Sequence, residues 1–375
     1  MLRSLLLVFG LAGALAAQPP LRFKKQILSN ERYESVGAFD VNGDGRPDLV
    51  SGAWWYEGPG FSVRHKIGTI RADGDYFDDF STIPMDVNGD GRPDYVTGGW
   101  FGGTLRWREQ PADPKQEWPE HVIAQTGNVE TTRAWDVDGD GVPELVPNNP
   151  GHPFKFYRLA RDAQGKPLGT FTEHRLADNQ GHGLGYGDVN GDGRGDFVLS
   201  DGWLEAPRNP LTEPWPWHPD FKLGSASIPI LVVDVNGDKR TDLIVGNAHG
   251  YGLRWVEQTA TGGWVKHAID PDHSQYHEMV WVDLDGDGQS ELVTGKRYHA
   301  HPTGDPGTED DYGLYYFRWN GREFIKNTIV FGPKGTGKGT GIFLTVTDLN
   351  ADGRPDLAAA GKDGLWVFFN EGSQK

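Results

Sequence analysis

The sequence contains no cysteine among its 375 residues, so disulfide bonds are excluded as a source of rigidity. Long apolar runs are also missing beyond the N-terminal stretch, and we expect a protein that is not embedded in a membrane. Positive charge is scarce: 36 Lys and Arg face 53 Asp and Glu, and the formal net charge is −17. Nucleic acid is therefore a poor partner for this chain.

The N-terminus has the pattern of an export signal. Arg3 supplies a short basic region, and the apolar stretch from Leu5 to Ala16 is too short to span a bilayer. Ala14 and Ala16 fit a small-x-small cleavage pattern, and the absence of cysteine excludes lipid anchoring there. We expect residues 1–17 to be a signal peptide and the mature protein to be secreted or periplasmic. A buried N-terminal helix is the alternative, but it has no place in the fold predicted below.

An aspartate-rich motif recurs seven times at spacings of 46, 50, 52, 46, 49 and 65 residues. Periods of this size indicate a propeller or a solenoid. A short apolar stretch precedes each motif, a second follows it, and an aromatic third stretch and a fourth stretch complete the repeat. Four strands per repeat without helical periodicity favour propeller blades. The motifs begin at Asp40, Asp86, Asp136, Asp188, Asp234, Asp283 and Asp348.

The two ends of the chain complement each other. Residues Phe23 to Leu28 resemble a fourth strand but precede the first motif, whereas the last repeat stops after its third strand, Leu365 to Phe369. Pairing these ends would complete the seventh blade and remove an open sheet edge. The sequence therefore predicts an all-β fold, a seven-bladed β-propeller of four-stranded blades that forms one domain over residues 18–375.

Each motif has the donor pattern of a calcium-binding loop. In the first loop, Asp40, Asn42, Asp44 and Asp48 occupy positions 1, 3, 5 and 9, and Arg46 offers its carbonyl at position 7. Position 12 never carries the Glu of an EF-hand. Asx-rich turns without metal are the alternative, although the clustered acids would then repel one another. We expect up to seven Ca²⁺ ions. The ligands predicted in the other loops are Asp86, Asn88, Asp90, Arg92, Asp94, Asp136, Asp138, Asp140, Val142, Glu144, Asp188, Asn190, Asp192, Arg194, Asp196, Asp234, Asn236, Asp238, Arg240, Asp242, Asp283, Asp285, Asp287, Gln289, Glu291, Asp348, Asn350, Asp352, Arg354 and Asp356.

Equivalent positions of the blades form a ring around a propeller axis. The residue six places before each loop begins the first strand of its blade, at the channel mouth opposite the calcium loops. Four of these seven residues are Glu34, Glu130, His182 and His277. Imidazole and carboxylate together suit Zn²⁺ or a similar transition metal. These side chains could equally hydrogen-bond neighbouring backbone, and both interpretations stay open.

The loops between the second and third strands should open on the same mouth, where long loops are often functional. The sixth repeat carries candidate catalytic residues there, namely Lys296, Arg297, His299 and His301. Neighbouring loops carry candidate substrate-binding residues, including tryptophans that could stack on a sugar. Packing between blades is the alternative role for these tryptophans. The candidate substrate-binding residues are Trp54, Trp55, Trp100, Asp201, Trp203 and His249.

The motif DVNGDGRPDLV resembles the FG-GAP or VCBS-type propeller repeats of integrin α-chain heads, which implies the propeller fold. Three shorter segments resemble the propeller domain of aldos-2-ulose dehydratase and its bacterial relatives. They read HGLGYGD from His182, YHE from Tyr276 and GKRYHAHP from Gly295. This second resemblance implies a metal-dependent elimination of water from a keto-sugar.

Two functional hypotheses follow. In the first, His182, His277 and either Glu130 or Glu34 hold a metal that polarises a sugar carbonyl as a Lewis acid. His299, His301 or Lys296 would then remove the α-proton, and Arg297 would orient the substrate. In the second, the same rim belongs to a non-catalytic propeller that binds a glycan or a protein.

Overall fold

The computed structural model describes residues 19–301 and 304–373, so the predicted signal peptide lies outside the described residues. The described residues form thirty β-strands and no α-helix. None of them contributes to a helix that could cross a membrane. Seven four-stranded sheets account for all the strands except one two-stranded hairpin. The predicted all-β, seven-bladed architecture is therefore confirmed.

In the first six blades, the strands pair antiparallel with their sequence neighbours. The first blade consists of β2 (Gly37–Phe39), β3 (Asp48–Ser51), β4 (Trp54–Tyr56) and β5 (Arg64–Lys66). Blades two to four consist of β8 (Ile83–Met85), β9 (Asp94–Gly98), β10 (Thr104–Arg108), β11 (Glu120–Gln125), β12 (Thr131–Trp135), β13 (Glu144–Asn148), β14 (Phe154–Arg161), β15 (Pro167–Ala177), β16 (Leu184–Gly187), β17 (Asp196–Leu199), β18 (Gly202–Leu204) and β19 (Trp217–His218). Blades five and six consist of β20 (Leu231–Val233), β21 (Asp242–Gly246), β22 (Tyr251–Gln258), β23 (Trp264–Ser274), β24 (Met279–Val282), β25 (Glu291–Gly295), β26 (Tyr312–Trp319) and β27 (Phe324–Gly332).

The seventh blade joins the two ends of the chain. Its inner strands are β28 (Thr345–Thr347), β29 (Asp356–Ala359) and β30 (Leu365–Ser373), and its outer strand is the N-terminal β1 (Leu21–Ser29). In the antiparallel pairing of β1 with β30, Gln26 faces Val367 and Lys24 faces Phe369. The predicted closure is therefore confirmed.

Apolar side chains fill the space between neighbouring blades. One cluster contains Val36 and Leu49 of the first blade together with Ala358 and Val367 of the seventh. Strand β3 is buried along its whole length, as expected for a strand packed on both faces. Burial of apolar area stabilises such packing by roughly 25 cal/mol per Å². This packing makes the ring of blades a rigid support for the loops at its two rims.

The innermost strands of adjacent blades lie side by side around the axis, where Gly185 bridges Ile230 and Ser35 bridges Phe343. The aspartate-rich loops join the first and second strands and therefore share one rim. The loops between second and third strands, and the starts of the innermost strands, share the opposite rim because the strands are antiparallel. This second rim is the channel mouth.

A hairpin that the sequence did not predict lies between blades one and two. It consists of β6 (Ala72–Asp73) and β7 (Tyr76–Phe77). The Tyr76 hydroxyl donates a hydrogen bond of 2.7 Å to the carbonyl of Ala300 in the long loop of blade six. The hairpin thus reaches a blade far from its own and narrows the mouth.

Candidate metal centre at the channel mouth

The buried guanidinium of Arg297 lies at the centre of the mouth. Its Nε is 2.9 Å from Glu34 Oε1, and its Nη1 is 2.9 Å from Glu130 Oε1. Burial alone would lower the pKa of Arg297, but the charges of Glu34 and Glu130 outweigh it and raise that pKa. Charge-assisted pairs of this kind fix the geometry of both carboxylates.

Three imidazoles converge beside this guanidinium. The ring centroids of His182 and His249 are 4.7 Å apart, those of His249 and His277 are 4.9 Å apart, and those of His182 and His277 are 5.3 Å apart. One nitrogen from each ring lies within 4.8 Å of the other two. We call His182, His249 and His277 the histidine cluster.

Two nitrogens of the histidine cluster are buried without a hydrogen-bond partner. His182 Nδ1 donates to the carbonyl of Ala226 at 2.8 Å, which leaves its Nε2 unpartnered. His277 Nδ1 is also unpartnered, and His277 is only 1% exposed. His249 Nδ1 lies 3.0 Å from Asp305 Oδ2, so its other nitrogen is free to face the cluster. Unsatisfied buried polar atoms are rare and call for a ligand. A ring that donates through one nitrogen, as His182 does, is the usual arrangement of a metal-binding histidine, whereas His277 Nε2 lies 3.4 Å from Arg297 Nη1.

The surroundings of His249 and His277 favour the neutral imidazole, which is the form that binds metals. Burial and the charge of Arg297 lower the pKa of His277 well below its usual range. Burial and the neighbouring His182 lower the pKa of His249 to about 4. Burial would raise the pKa of Glu130, but its contacts with His182 and Arg297 outweigh burial and hold that pKa far below the usual range. The site therefore combines neutral nitrogens with a charged carboxylate.

The four residues predicted to form a ring of ligands do meet at the mouth, but the structure divides their roles. Glu34 is engaged by Arg297 rather than by the imidazoles. His249, predicted to bind substrate, completes the histidine cluster instead. Glu130 Oε1 lies 3.6 Å from His182 Nε2 and 3.8 Å from His277 Nδ1. The best candidate ligands are thus the three histidines, with Glu130 beside them.

A cavity of about 250 Å³ opens next to this cluster. Trp100 is 38% exposed on its wall, and the rings of Tyr76 and Phe101 lie 5.3 Å apart. Arg297 and Glu130 also line the cavity. We call this space the mouth cavity, and its size suits one sugar ring rather than a longer chain. Its lining residues are Tyr76, Phe80, Trp100, Phe101, Glu130, Arg297, Ala300 and His301.

A histidine–carboxylate pair stands at the edge of the mouth cavity. His301 Nδ1 is 2.9 Å from Asp305 Oδ2, and the ring stacks on His249 at 4.6 Å. His301 remains half exposed, so its Nε2 is available to a bound molecule. Among the residues predicted as bases, His301 is the one that lines the mouth cavity.

Lys296 is not placed as a base. Its buried ammonium donates to the carbonyls of Gly307 at 2.5 Å, Thr308 at 3.1 Å and Asp310 at 2.6 Å, which uses all three protons to shape its own loop. His299 stacks on Tyr298 at 4.2 Å. The sequence showed which residues are present in this loop but not which of them point to the mouth cavity.

Of the four predicted tryptophans, Trp100 is the one that lines the mouth cavity. Trp55 is fully buried, and its Nε1 donates to the carbonyl of Pro114. Trp203 stacks on His218 at 4.2 Å inside blade four, and Trp54 packs between blades under the guanidinium of Arg64. These three are structural, which corrects the prediction. Asp201 is exposed in the turn between β17 and β18.

The aspartate-rich loops share one geometry at the opposite rim. In the first loop, Asp40 accepts hydrogen bonds from the amides of Gly43 and Gly45, at 2.7 and 2.8 Å. Asp48 at position 9 accepts from Val41 at 2.9 Å and Gly58 at 2.7 Å, and so ties the loop to the third strand. The acid at position 9 is buried in every loop: Asp48, Asp94, Glu144, Asp196, Asp242, Glu291 and Asp356.

Arginine side chains pair with acids in six of the loops. In loops two, four, five and seven, the arginine at position 7 pairs with the acid at position 5. Loops three and six lack that arginine, and Arg158 and Arg318 from the third strand take its place, pairing with Asp138 and Asp285 at 2.6 and 2.7 Å. The sequence did not predict this second role for position 7.

The fold and the site define a seven-bladed β-propeller with a buried histidine cluster at its mouth. The chain carries FG-GAP-like repeats, since the FG-GAP-like repeat family model matches residues 86–147 and 234–294. Comparison with curated proteins gives no significant match.

Solved structures share the architecture at low identity. BBS1N, in a crystal structure of its complex with ARL6DN, is 12% identical, with 93% of this chain and 96% of that chain covered and a TM-score of 0.52. The exotype rhamnogalacturonan lyase YesX is 14% identical, with 94% of this chain and 75% of that chain covered and a TM-score of 0.49. At this identity the likeness to BBS1N extends to the fold alone.

Proposed function

We propose that this protein is a metal-dependent carbohydrate lyase of the dehydratase type, acting on a keto-sugar in the mouth cavity. The observation that carries the proposal is the pair of buried, unpartnered nitrogens on His182 and His277, next to a cavity edged by the His301–Asp305 pair. The local resemblance to aldos-2-ulose dehydratase supports the same reaction. Incubation with keto-sugars should yield an enone, detected by its ultraviolet absorbance.

The histidine cluster, with Glu130 beside it, would hold Zn²⁺ or a similar ion, which would supply Lewis acidity to the sugar carbonyl. Asp305 holds the Nδ1 proton of His301, so that His301 Nε2 accepts the proton from the carbon next to the carbonyl. Arg297 is fixed by two carboxylates and orients the substrate oxygens.

Tyr76, which sequence reasoning missed, would act as the acid. Burial raises its pKa to about 12, so the hydroxyl is protonated at neutral pH. After His301 has removed the α-proton, the proton of Tyr76 would pass to the departing hydroxyl group, which leaves as water. The electron pair left on the carbon by the broken C–H bond then forms the new C=C bond. The ammonium of Lys362 lies 3.5 Å from the centre of the Tyr76 ring and would stabilise the phenolate left behind.

A non-catalytic glycan-binding propeller is the second candidate. The exposed face of Trp100 beside Phe101 favours it, because sugars stack on such surfaces without chemistry. Elemental analysis after mild removal of calcium separates the two candidates. About one residual transition metal per chain supports the lyase, and calcium alone supports the binding protein.

We further propose that the aspartate-rich loops bind Ca²⁺ and that residues 1–17 direct export. Two loops each bring three acids within 4.8 Å of one another, Asp136 with Asp138 and Glu144, and the equivalent residues of the sixth loop. Burial raises the pKa of Asp94, Glu144 and Glu291 to about 7, a strain that a bound cation would relieve. The loops offer only oxygen ligands, at alternate positions along the motif, and such ligands are typical of calcium sites.

Removing calcium should lower the melting temperature substantially. A single site held at 100 times its dissociation constant adds about 2.7 kcal/mol, so several sites together should shift the melting temperature by about 10 °C or more. Calorimetry before and after chelation measures the shift, and readdition of Ca²⁺, but not of an equal amount of Mg²⁺, should restore it. An unchanged melting temperature, with no calcium found in the purified protein, would contradict the calcium proposal.

A further inference from the structure

A groove of about 660 Å³ lies beside the mouth cavity, on the face of blade two. It runs along β10 and β11 and is bordered by residues 69–71. Arg71, Arg106 and Arg108 line it together with Glu117 and Glu120. We call it the arginine groove. Neither the proposed reaction nor the calcium loops use it.

Arg106 and Arg108 stand on the same side of β10, because alternate residues of a strand share a face. Each of them is only 5% exposed. Both contact the same carboxylate oxygen, since Glu120 Oε2 lies 3.3 Å from Arg106 Nε and 2.9 Å from Arg108 Nη2. Both also donate to backbone carbonyls, Arg106 to that of Asp78 and Arg108 to those of Thr69 and Trp118. Arg108 Nε has no partner in this buried position. Two buried guanidiniums therefore share one oxygen of a side chain that is itself 41% exposed.

Two further acids lie near this pair. Asp79 is fully buried, and burial raises its pKa despite the charges of Arg106 and Arg108, while Asp78 is already occupied. Asp78 lies 3.7 Å from Arg106 Nη1, and its two oxygens accept the backbone amides of Phe101 at 2.9 Å and Gly102 at 2.8 Å. Arg71 adds a third guanidinium, which donates to the carbonyl of Phe101. Arginine presents paired N–H groups that match a carboxylate. If Glu120 moved away, its positions on Arg106 and Arg108, together with the unpartnered Arg108 Nε, would be available to a ligand carboxylate.

The arginine groove adjoins the mouth cavity. The hairpin segment contributes Tyr76 to the cavity and Asp78 to the groove, and the turn after β9 contributes Phe101 to the cavity and Gly102 to the groove. A ligand whose reacting unit occupies the mouth cavity could therefore place its next unit over the arginines.

We infer that the arginine groove is a subsite for an acidic saccharide, where a ligand carboxylate takes the place of Glu120 between Arg106 and Arg108. The inference rests on the proposed function for the saccharide part of the ligand. It narrows the substrate class to a saccharide that carries a uronate next to its reacting unit.

The test compares binding of trigalacturonate and of its methyl ester by calorimetry. The variant Glu120→Gln removes the competing charge from an exposed position, so trigalacturonate should bind about tenfold more tightly, in line with ~1.5–3 kcal/mol for a charge-assisted hydrogen bond. Glu117 lines the same groove without a salt bridge to Arg106 or Arg108, so Glu117→Gln is the matched control, with a much smaller gain in affinity expected. Arg71→Gln should weaken binding. The methyl ester should bind poorly to all four proteins.

Equal binding of the ester and the acid, or no gain for Glu120→Gln over Glu117→Gln, would overturn the inference. The same titration in His277→Ala separates it from the proposed function, because the groove should keep its affinity without the metal centre. A wild-type protein that binds trigalacturonate through the groove but converts no keto-sugar would refute the lyase proposal alone. Conversion of keto-sugars without charge-dependent binding would refute the groove alone.

Discussion

Replacing His277 by alanine is expected to strip the transition metal from the protein and to abolish elimination activity. The unpartnered Nδ1 of His277 is buried among the other imidazoles, so its loss takes one of three nitrogen donors from the histidine cluster. Loss of groups that merely orient metal ligands costs 10–100-fold in affinity, and we expect loss of a ligand to cost more than about 100-fold. His182→Ala should behave in the same way. Elemental analysis after mild calcium removal measures the effect.

His218→Ala is the matched control for this experiment. His218 stacks on Trp203 and lies 2.8 Å from Glu205 in the outer strand of blade four, so it tests the loss of a stacked histidine away from the mouth. Its metal content and activity should stay at wild-type levels. Circular dichroism should show that all these variants are folded, because the packing between blades stabilises the propeller. Normal metal retention and turnover in both His182→Ala and His277→Ala would eliminate the metal centre.

The sequence predicts most of the fold because one motif repeats seven times with the same flanks. The second apolar stretch predicted after each motif is a strand in the structure, such as β3 in blade one. Pairing of the N-terminal strand with β30 follows from counting strands at the two ends. The β6–β7 hairpin had no such support, because it belongs to one connection and has no counterpart in the other repeats.

The candidate site was only partly predictable. Comparing equivalent positions found Glu34, Glu130, His182 and His277, since blade symmetry carries them to a shared mouth. Blade symmetry does not predict the course of long loops that differ between blades. The position of Arg297 at the centre of the mouth and the approach of Tyr76 to the mouth cavity were therefore missed. Blade symmetry also does not predict how the adjacent residues Trp54 and Trp55 are buried. Trp55 is buried and Trp54 packs between blades because β4 alternates its side chains inside the propeller.

Replacing Tyr76 by phenylalanine is expected to separate the two halves of the proposed reaction. His301 would still remove the α-proton, so exchange of that proton with deuterium from the solvent should continue near the wild-type rate. Elimination should fall by about 10²–10⁴-fold, the usual contribution of a positioned acid. Nuclear magnetic resonance in deuterated water follows both processes in one sample. Wild-type protein should show exchange together with enone formation, and the variant should show exchange almost alone.

The hydroxyl of Tyr76 also anchors the loop of blade six through Ala300, and a loosened loop would disturb both steps. Tyr251→Phe controls for this effect, because the Tyr251 hydroxyl donates to Asp310 Oδ2 at 2.6 Å and anchors the same loop from outside the mouth cavity. Exchange and elimination should both stay near wild-type rates in that control. If Tyr76→Phe slows exchange and elimination in parallel, the hydroxyl only positions the loop. If Tyr76→Phe loses elimination but keeps exchange, the base and the rest of the mouth cavity are intact. The proton delivered to the leaving group must then come from Tyr76.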